Sequence, residues 1–173
     1  MVIAPDNLHG IDKQIKRVQD YLSDSFADIW ANTIAVYGRA IETEGTNGKV
    51  LEVWTGKKDY KQLFINDKQS AVIGFKVIDR NIDSDRLKAT VDIIFSVNVN
   101  DVLGTNEYLD EKVLMQAYQM INKCGYTEGV TEIKTGIDNV FAGYYTENIK
   151  HRDMAPFHIF SFTTQIEYFA SIC

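Results

Sequence analysis

Apolar and polar residues alternate almost without fault from Leu87 to Val99. Leu87, Ala89, Val91, Ile93, Phe95, Val97 and Val99 share one face, and Lys88, Thr90, Asp92, Ser96 and Asn98 share the other. Ile94 is the apolar exception on the polar face. A period of two predicts a half-buried antiparallel strand. Typical strands have about 5–6 residues; a segment this long extends about 43 Å at roughly 3.3 Å per residue. That is more than a small domain needs to cover its own core, which points to a strand that works beyond its own subunit. Ile94 is then the position expected to bury against another chain.

The flanking segments build a hairpin around this strand. Residues 70–79 are apolar enough for a second long strand, and the link Arg80-Asn81-Ile82-Asp83-Ser84-Asp85-Arg86 is polar and charged, as a solvated turn should be. A helical period appears twice. Ile11, Ile15, Val18, Leu22, Phe26 and Ile29 form one stripe at spacings of four and three over residues 11–30, with Asn7 or Gly10 available as a cap. Residues 107–124 carry Tyr108, Leu109, Val113, Leu114, Ala117, Tyr118 and Ile121 on a wide apolar face, with Met115 and Met120 on its flanks. Thr105 or Asn106 can cap this second helix, Glu107, Asp110 and Glu111 suit its positive end, and Gly125 suits its C-terminal cap. Shorter strands are expected at 33–41, 50–54, 130–134 and 137–145, with a short one at 63–65 and a last one within 156–169. Asn47-Gly48 marks a turn, 56–62 reads as a polar connection, and Gly104 breaks the segment after Val99.

Strands that come in runs rather than alternating with helices favour an α+β fold. The expected architecture is a mostly antiparallel sheet with a long hairpin (about 70–99) packed by two helices (about 11–30 and 107–124). Residues 1–173 are expected to form one domain, with 1–10 as an N-terminal extension and 79–86 as a projecting hairpin tip.

Composition narrows the function classes. The apolar fraction is 45% and the charged fraction 24%, ordinary for a folded domain. The net charge of −6 argues against a nucleic-acid groove, which needs a basic face, although an acidic wall lets DNA pass without holding it. The N-terminus lacks a signal-peptide pattern, and no segment reaches the apolar length of a membrane span. Cys124 and Cys173 form neither a disulfide framework nor a CxxC motif, which favours a reducing compartment.

Candidate chemistry is sparse. His9, His151 and His158 include no helical metal pair, and Asp153 is the only carboxylate within the 151–158 segment. There is no GxSxG elbow, no phosphate-cradling glycine loop and no calcium-loop spacing among Asp79, Asp83 and Asp85. No catalytic residue, cofactor or metal is expected, and the protein is not expected to be an enzyme. Aromatics crowd the last third, where Phe169 lies on the opposite strand face from Phe160, Phe162 and Tyr168 and suits an interface.

Three segments carry a family resemblance: the opening helix Ile11–Leu22, the long alternating strand ending Phe95-Ser96-Val97-Asn98-Val99 and followed by a helix, and the ending His151–Phe162 that leads a short loop into a last strand closed by Tyr168 or Phe169. In this layout the chain resembles small phage virion proteins of the head–tail connector, tail-completion and tail-terminator type. The resemblance implies a structural virion protein, assembled in the host cytoplasm. It would form a homo-oligomeric ring, six- or twelve-fold, between portal and tail or at the tail end. Portal, connector or tail proteins would be its neighbours, and DNA would pass through without sequence-specific binding. Asp79, Arg80, Asp83, Asp85, Arg86, Ile94 and Phe169 are the expected inter-subunit contacts. The alternative is a non-enzymatic module that binds a ligand or peptide on its sheet.

Overall fold

The computed structural model describes residues 1–30, 34–83, 86–104 and 109–169. The chain runs through β1 (Val2–Ile3), α1 (Ile11–Ala27), β2 (Ile34–Gly45), β3 (Gly48–Trp54), β4 (Tyr60–Gln62), β5 (Ala71–Asp83) and β6 (Arg86–Asn98). It continues through α2 (Val99–Leu103), α3 (Leu109–Lys123), β7 (Val130–Thr135), α4 (Ile137–Val140), a 3₁₀ helix (Glu147–Asp153) and β8 (Phe157–Tyr168). The fold is α+β. Eight strands form a sheet in the order β4-β3-β2-β5-β6-β8-β7, with β1 paired to β2. The pairings are antiparallel except β1 with β2 and β2 with β5.

The alternation read in the sequence is real for one face of β6. Ala89, Val91, Ile93, Phe95 and Val97 are fully buried beneath α1 and α3. Phe95 lies in an aromatic cluster, stacked on Phe160 with centroids 4.9 Å apart and edge-on to Phe26 and Phe162. The stripe of α1 closes this layer, ending at Trp30, which stacks on Phe26 at 4.0 Å. Gln19, the polar residue within that buried stripe, donates to the carbonyl oxygens of Val36 (2.9 Å) and Ile3 (3.3 Å), so its burial is compensated. Gly10 takes the capping position of α1 at φ 52.

The opposite face corrects an expectation. Ile94 has no exposure at all; it lies with Ala35, Leu63, Phe64, Val72, Phe141 and Ile159 in a second core cluster formed by the chain itself. It therefore has no surface to offer a neighbouring subunit. Asp92 and Ser96 are buried on the same face, so this middle part of the polar face is not a wet or inter-subunit surface either. The cover comes from segments whose local structure differs from the expected strands. Leu63–Asn66 is a turn in which Phe64 adopts φ 71 and Asn66 φ 53, and the Phe64 ring meets Phe141 edge-on at 5.8 Å. Residues 137–145 contain α4 rather than a strand. Gly136, at φ 80, turns the chain, and Ile137, Val140 and Phe141 follow the helical i, i+3, i+4 spacing into the second cluster.

Other boundaries shift modestly. The link 56–62 contains β4, and the segment after Asn98 forms α2, whose start is capped by the Asn98 side chain accepting from the Asp101 amide at 3.3 Å. The strands of the long hairpin extend to Asp83 and from Arg86, so most of the expected 80–86 link is strand. Thr33, Ser84, Asp85, Thr105, Asn106, Glu107, Tyr108 and Cys173, and with them several expected caps and tip contacts, lie outside the described residues.

Candidate assembly surface

The sheet forks at one end. Strand β2 follows β5 in parallel from Ile34↔Ala71 to Ala40↔Lys76, with an irregularity between Val36 and Arg39. From Ile41 to Gly45 it pairs instead with β3. Strand β5 has its own bulge between Val77 and Asp79 and then continues with β6 as far as Asp83↔Arg86. Among the described residues, no strand pairs with the outer edge of β5 beyond Lys76. Bulges increase local twist and redirect strands, and here one lies on each arm of the fork. Between the arms is an open groove of about 390 Å³ lined by Arg39, Ala40, Glu42, Val77, Ile78, Asp79 and Arg80.

The register assigns side chains to faces. Asp79 and Asn81 lie opposite Thr90 and Lys88, on the face of the second cluster. Arg80 and Ile82 lie opposite Ala89 and Leu87, on the helix face. Asp79 is locally engaged: its Oδ1 accepts from the Arg80 amide at 2.7 Å and its Oδ2 from the Asn81 side chain at 3.1 Å. Ile82 is 80% exposed and Ile78 46%. Isolated exposed apolar residues are common, but these two lie on one unpaired strand edge.

The far side of the hairpin end is tied down. Arg86 donates to Glu167 at 2.8 Å, and Lys88 pairs with Glu128 (3.0 Å) and Glu167 (3.3 Å). These cations, Arg86 first, hold the Glu167 carboxyl below the usual range, and Glu128 followed by Glu167 raises the Lys88 ammonium. Arg86 also lies over the ring of Phe169, 5.7 Å from its centroid, and Phe169 is 62% exposed. Thus Asp79, Arg80, Arg86 and Phe169 are brought to one end of the molecule, and Ile94 is excluded from it. Asp83 is the last residue of β5, and only its backbone is described; Asp85 lies outside the described residues. The sequence reading missed Ile78 and Ile82. An isoleucine inside an otherwise polar link was the signal available.

A second polar feature crosses the covered face. The transverse row Lys76–Asp92–Thr163–Glu132 runs across four strands. Asp92 Oδ1 accepts from Thr163 Oγ1 at 2.6 Å, and Oδ2 accepts from Lys134 Nζ at 3.2 Å. Burial lowers the Lys76 ammonium, which lies 4.7 Å from the centre of the Tyr144 ring. Tyr144 in turn donates to Glu42 at 2.9 Å, and its hydroxyl is pushed up to about 12 by burial and by that carboxylate. Each charge of the row has a structural partner.

The histidines do not converge. His151 accepts from Arg152 Nε at 3.2 Å, while burial lowers the His158 imidazole. Among the described residues no group of three or more His, Cys, Asp or Glu side chains is placed to hold a metal ion. Cys124 is buried, which raises its thiol. No helix among the described residues is long and apolar enough to cross a membrane. No protein-family model, curated protein or solved structure matches this chain.

Proposed function

We propose that this protein is a structural virion component that assembles into a homo-oligomeric ring at a phage head–tail junction or tail end. The observation that carries the reading is the fork: where β2 diverges, the outer edge of β5 continues with two exposed isoleucines and no strand partner among the described residues. Unpaired strand edges are costly liabilities in a free chain, since they template pairing with any other edge. Retaining one beside a groove favours a role in assembly. The buried Asp92 carboxylate on the covered face is spent on internal contacts with Thr163 and Lys134. A net charge of −6 suits a channel that releases DNA as it passes. Portal, connector or tail proteins would dock on the faces above and below such a ring.

Light scattering after size exclusion, followed by electron microscopy of the purified chain, tests the reading. The expected result is a closed ring of six or twelve copies, alone or on adding portal or tail proteins. A chain that stays monomeric at high concentration in both conditions overturns it.

A further inference from the structure

On the premise that the chain forms a ring, we propose that the open edge of β5, from Val77 to Asp83, receives the outer edge of β7 from the next copy, so that the sheet continues head to tail around the ring. Three observations lead there. First, the edge is long enough to carry a ladder and apolar enough to gain from being covered. Ile78 and Ile82 are both exposed, and covering them removes apolar surface from water.

Second, the edge is ill suited to pairing with itself. A two-fold antiparallel pairing in one continuous sheet must place residues of the same face opposite each other. Of the registers that do so, one sets Arg80 against its own copy, one Asp79 against its own copy, and one Asp79 against Asp83; the one centred on Ile82 opposes no like charges but pairs only residues 81–83 of the strand. Like charges directly opposite destabilise a strand pair. A different edge of the neighbour avoids this, and a heterologous contact generates rings when its rotation closes.

Third, β7 is the matching edge. It ends the sheet opposite β4, spans Val130–Thr135 and exposes Ile133. By contrast, β4 has three residues and β1 two. Within the chain, β5 and β6, β6 and β8, and β8 and β7 are successively antiparallel. A neighbour in the same orientation therefore brings its β7 antiparallel to β5. Glu132 and Lys134 lie on the face of the second cluster, as Asp79 and Asn81 do, while Ile133 lies on the helix face with Arg80 and Ile82. The register that sets Asp79 opposite Lys134 also sets Asn81 opposite Glu132 and Arg80 opposite Ile133. It leaves Ile82 diagonal to Ile133, within side-chain reach. The charges on the β5 edge then discriminate: they repel a second β5 in the longer registers, whereas this β7 register sets no like charge opposite them.

The test uses the full chain with Cys173→Ser, leaving the buried Cys124 in place. Asn81→Cys and Glu132→Cys are made singly and together, and a short bismaleimide is added. Covalent dimers that form when the two single variants are mixed, but in neither alone, support the proposal, as does a ladder of multimers from the double variant. Cross-linking of Asn81→Cys with itself overturns it, since the edge then pairs with its own kind. An assembly that persists by light scattering with no cross-link in the mixture overturns the β5–β7 contact and leaves the ring reading standing. A chain monomeric throughout, both alone and on adding portal or tail proteins, overturns both. As a second measurement, Ile82→Asp should raise the concentration needed for assembly at least about tenfold while the monomer's melting temperature is unchanged. Assembly unaffected by Ile82→Asp counts against the contact.

Discussion

The two ends of the β5–β6 hairpin belong to one continuous strand pair and have opposite surroundings. At the base, both faces are covered: Phe95 lies in the aromatic cluster beneath the helices, and Ile94, its neighbour in sequence, lies in the second cluster. At the far end the same strand pair has lost β2 on one side, and Ile82 is in solvent. What separates the ends is the strand residues, apolar at the base and mostly charged at the far end, together with the neighbouring segments that cover the base and leave the far end bare. An alternating strand states which residues share a face; it does not state what covers that face.

Substitutions at the two ends should therefore differ by an order of magnitude in their effect on folding. Phe95→Ala removes a ring that touches Phe26, Phe160 and Phe162 and should cost about 3–5 kcal/mol in urea unfolding. A loss below about 1 kcal/mol would show that the base is looser than its packing implies. Asp92→Ala strips a partner from Thr163 and from Lys134, each of which keeps Glu132. Because Lys134 retains some access to water, the expected loss is smaller, about 2 kcal/mol in the same assay. An Asp92→Ala variant as stable as the parent would mark the polar row as dispensable.

The base also has a pH signature. Burial depresses the His158 imidazole in the folded chain, so the unfolded chain binds the proton more readily. Stability is then full above the unfolded histidine's pKa, about 6.5, and is lost as pH falls from there through the lower folded value. Replacing His158 by Phe should flatten the melting-temperature profile between about pH 7 and pH 5; an unchanged slope would assign it to other groups. The smallest effect belongs to the free end: Ile82→Ser should alter unfolding free energy by less than about 0.5 kcal/mol. A loss of 2 kcal/mol there would mean that Ile82 is covered within its own chain, and the contrast between the two ends would collapse.

Much of the framework was legible in residue order because it depends on local periodicity. The stripe of α1, the face of α3 and the alternation of β6 carry clear periods and β5 a long apolar run, and the structure holds each within a few residues of the expected bounds. The errors fall where short apolar runs fit two periods. Ile137, Val140 and Phe141 suit a helical turn as well as a strand, and Leu63-Phe64-Ile65 is too short to have a period at all. In each case the second core cluster decided the outcome, since a buried side chain could reach it from a turn. The candidate surface was half legible. The charges of the tip stood out in the link, whereas Ile78 and Ile82 gained meaning only once β2 was seen to diverge.

Sequence alone determined the α+β class, the two amphipathic helices and which residues of the long strand share a face, because each follows from backbone geometry acting over neighbouring residues. Tertiary structure alone decided that Ile94 and Asp92 are buried and that Ile82 is bare. It also decided that one strand edge of this protein runs unpaired past its neighbour. Those outcomes depend on segments distant along the chain that arrive, or fail to arrive, over a given face, and no local period encodes their arrival.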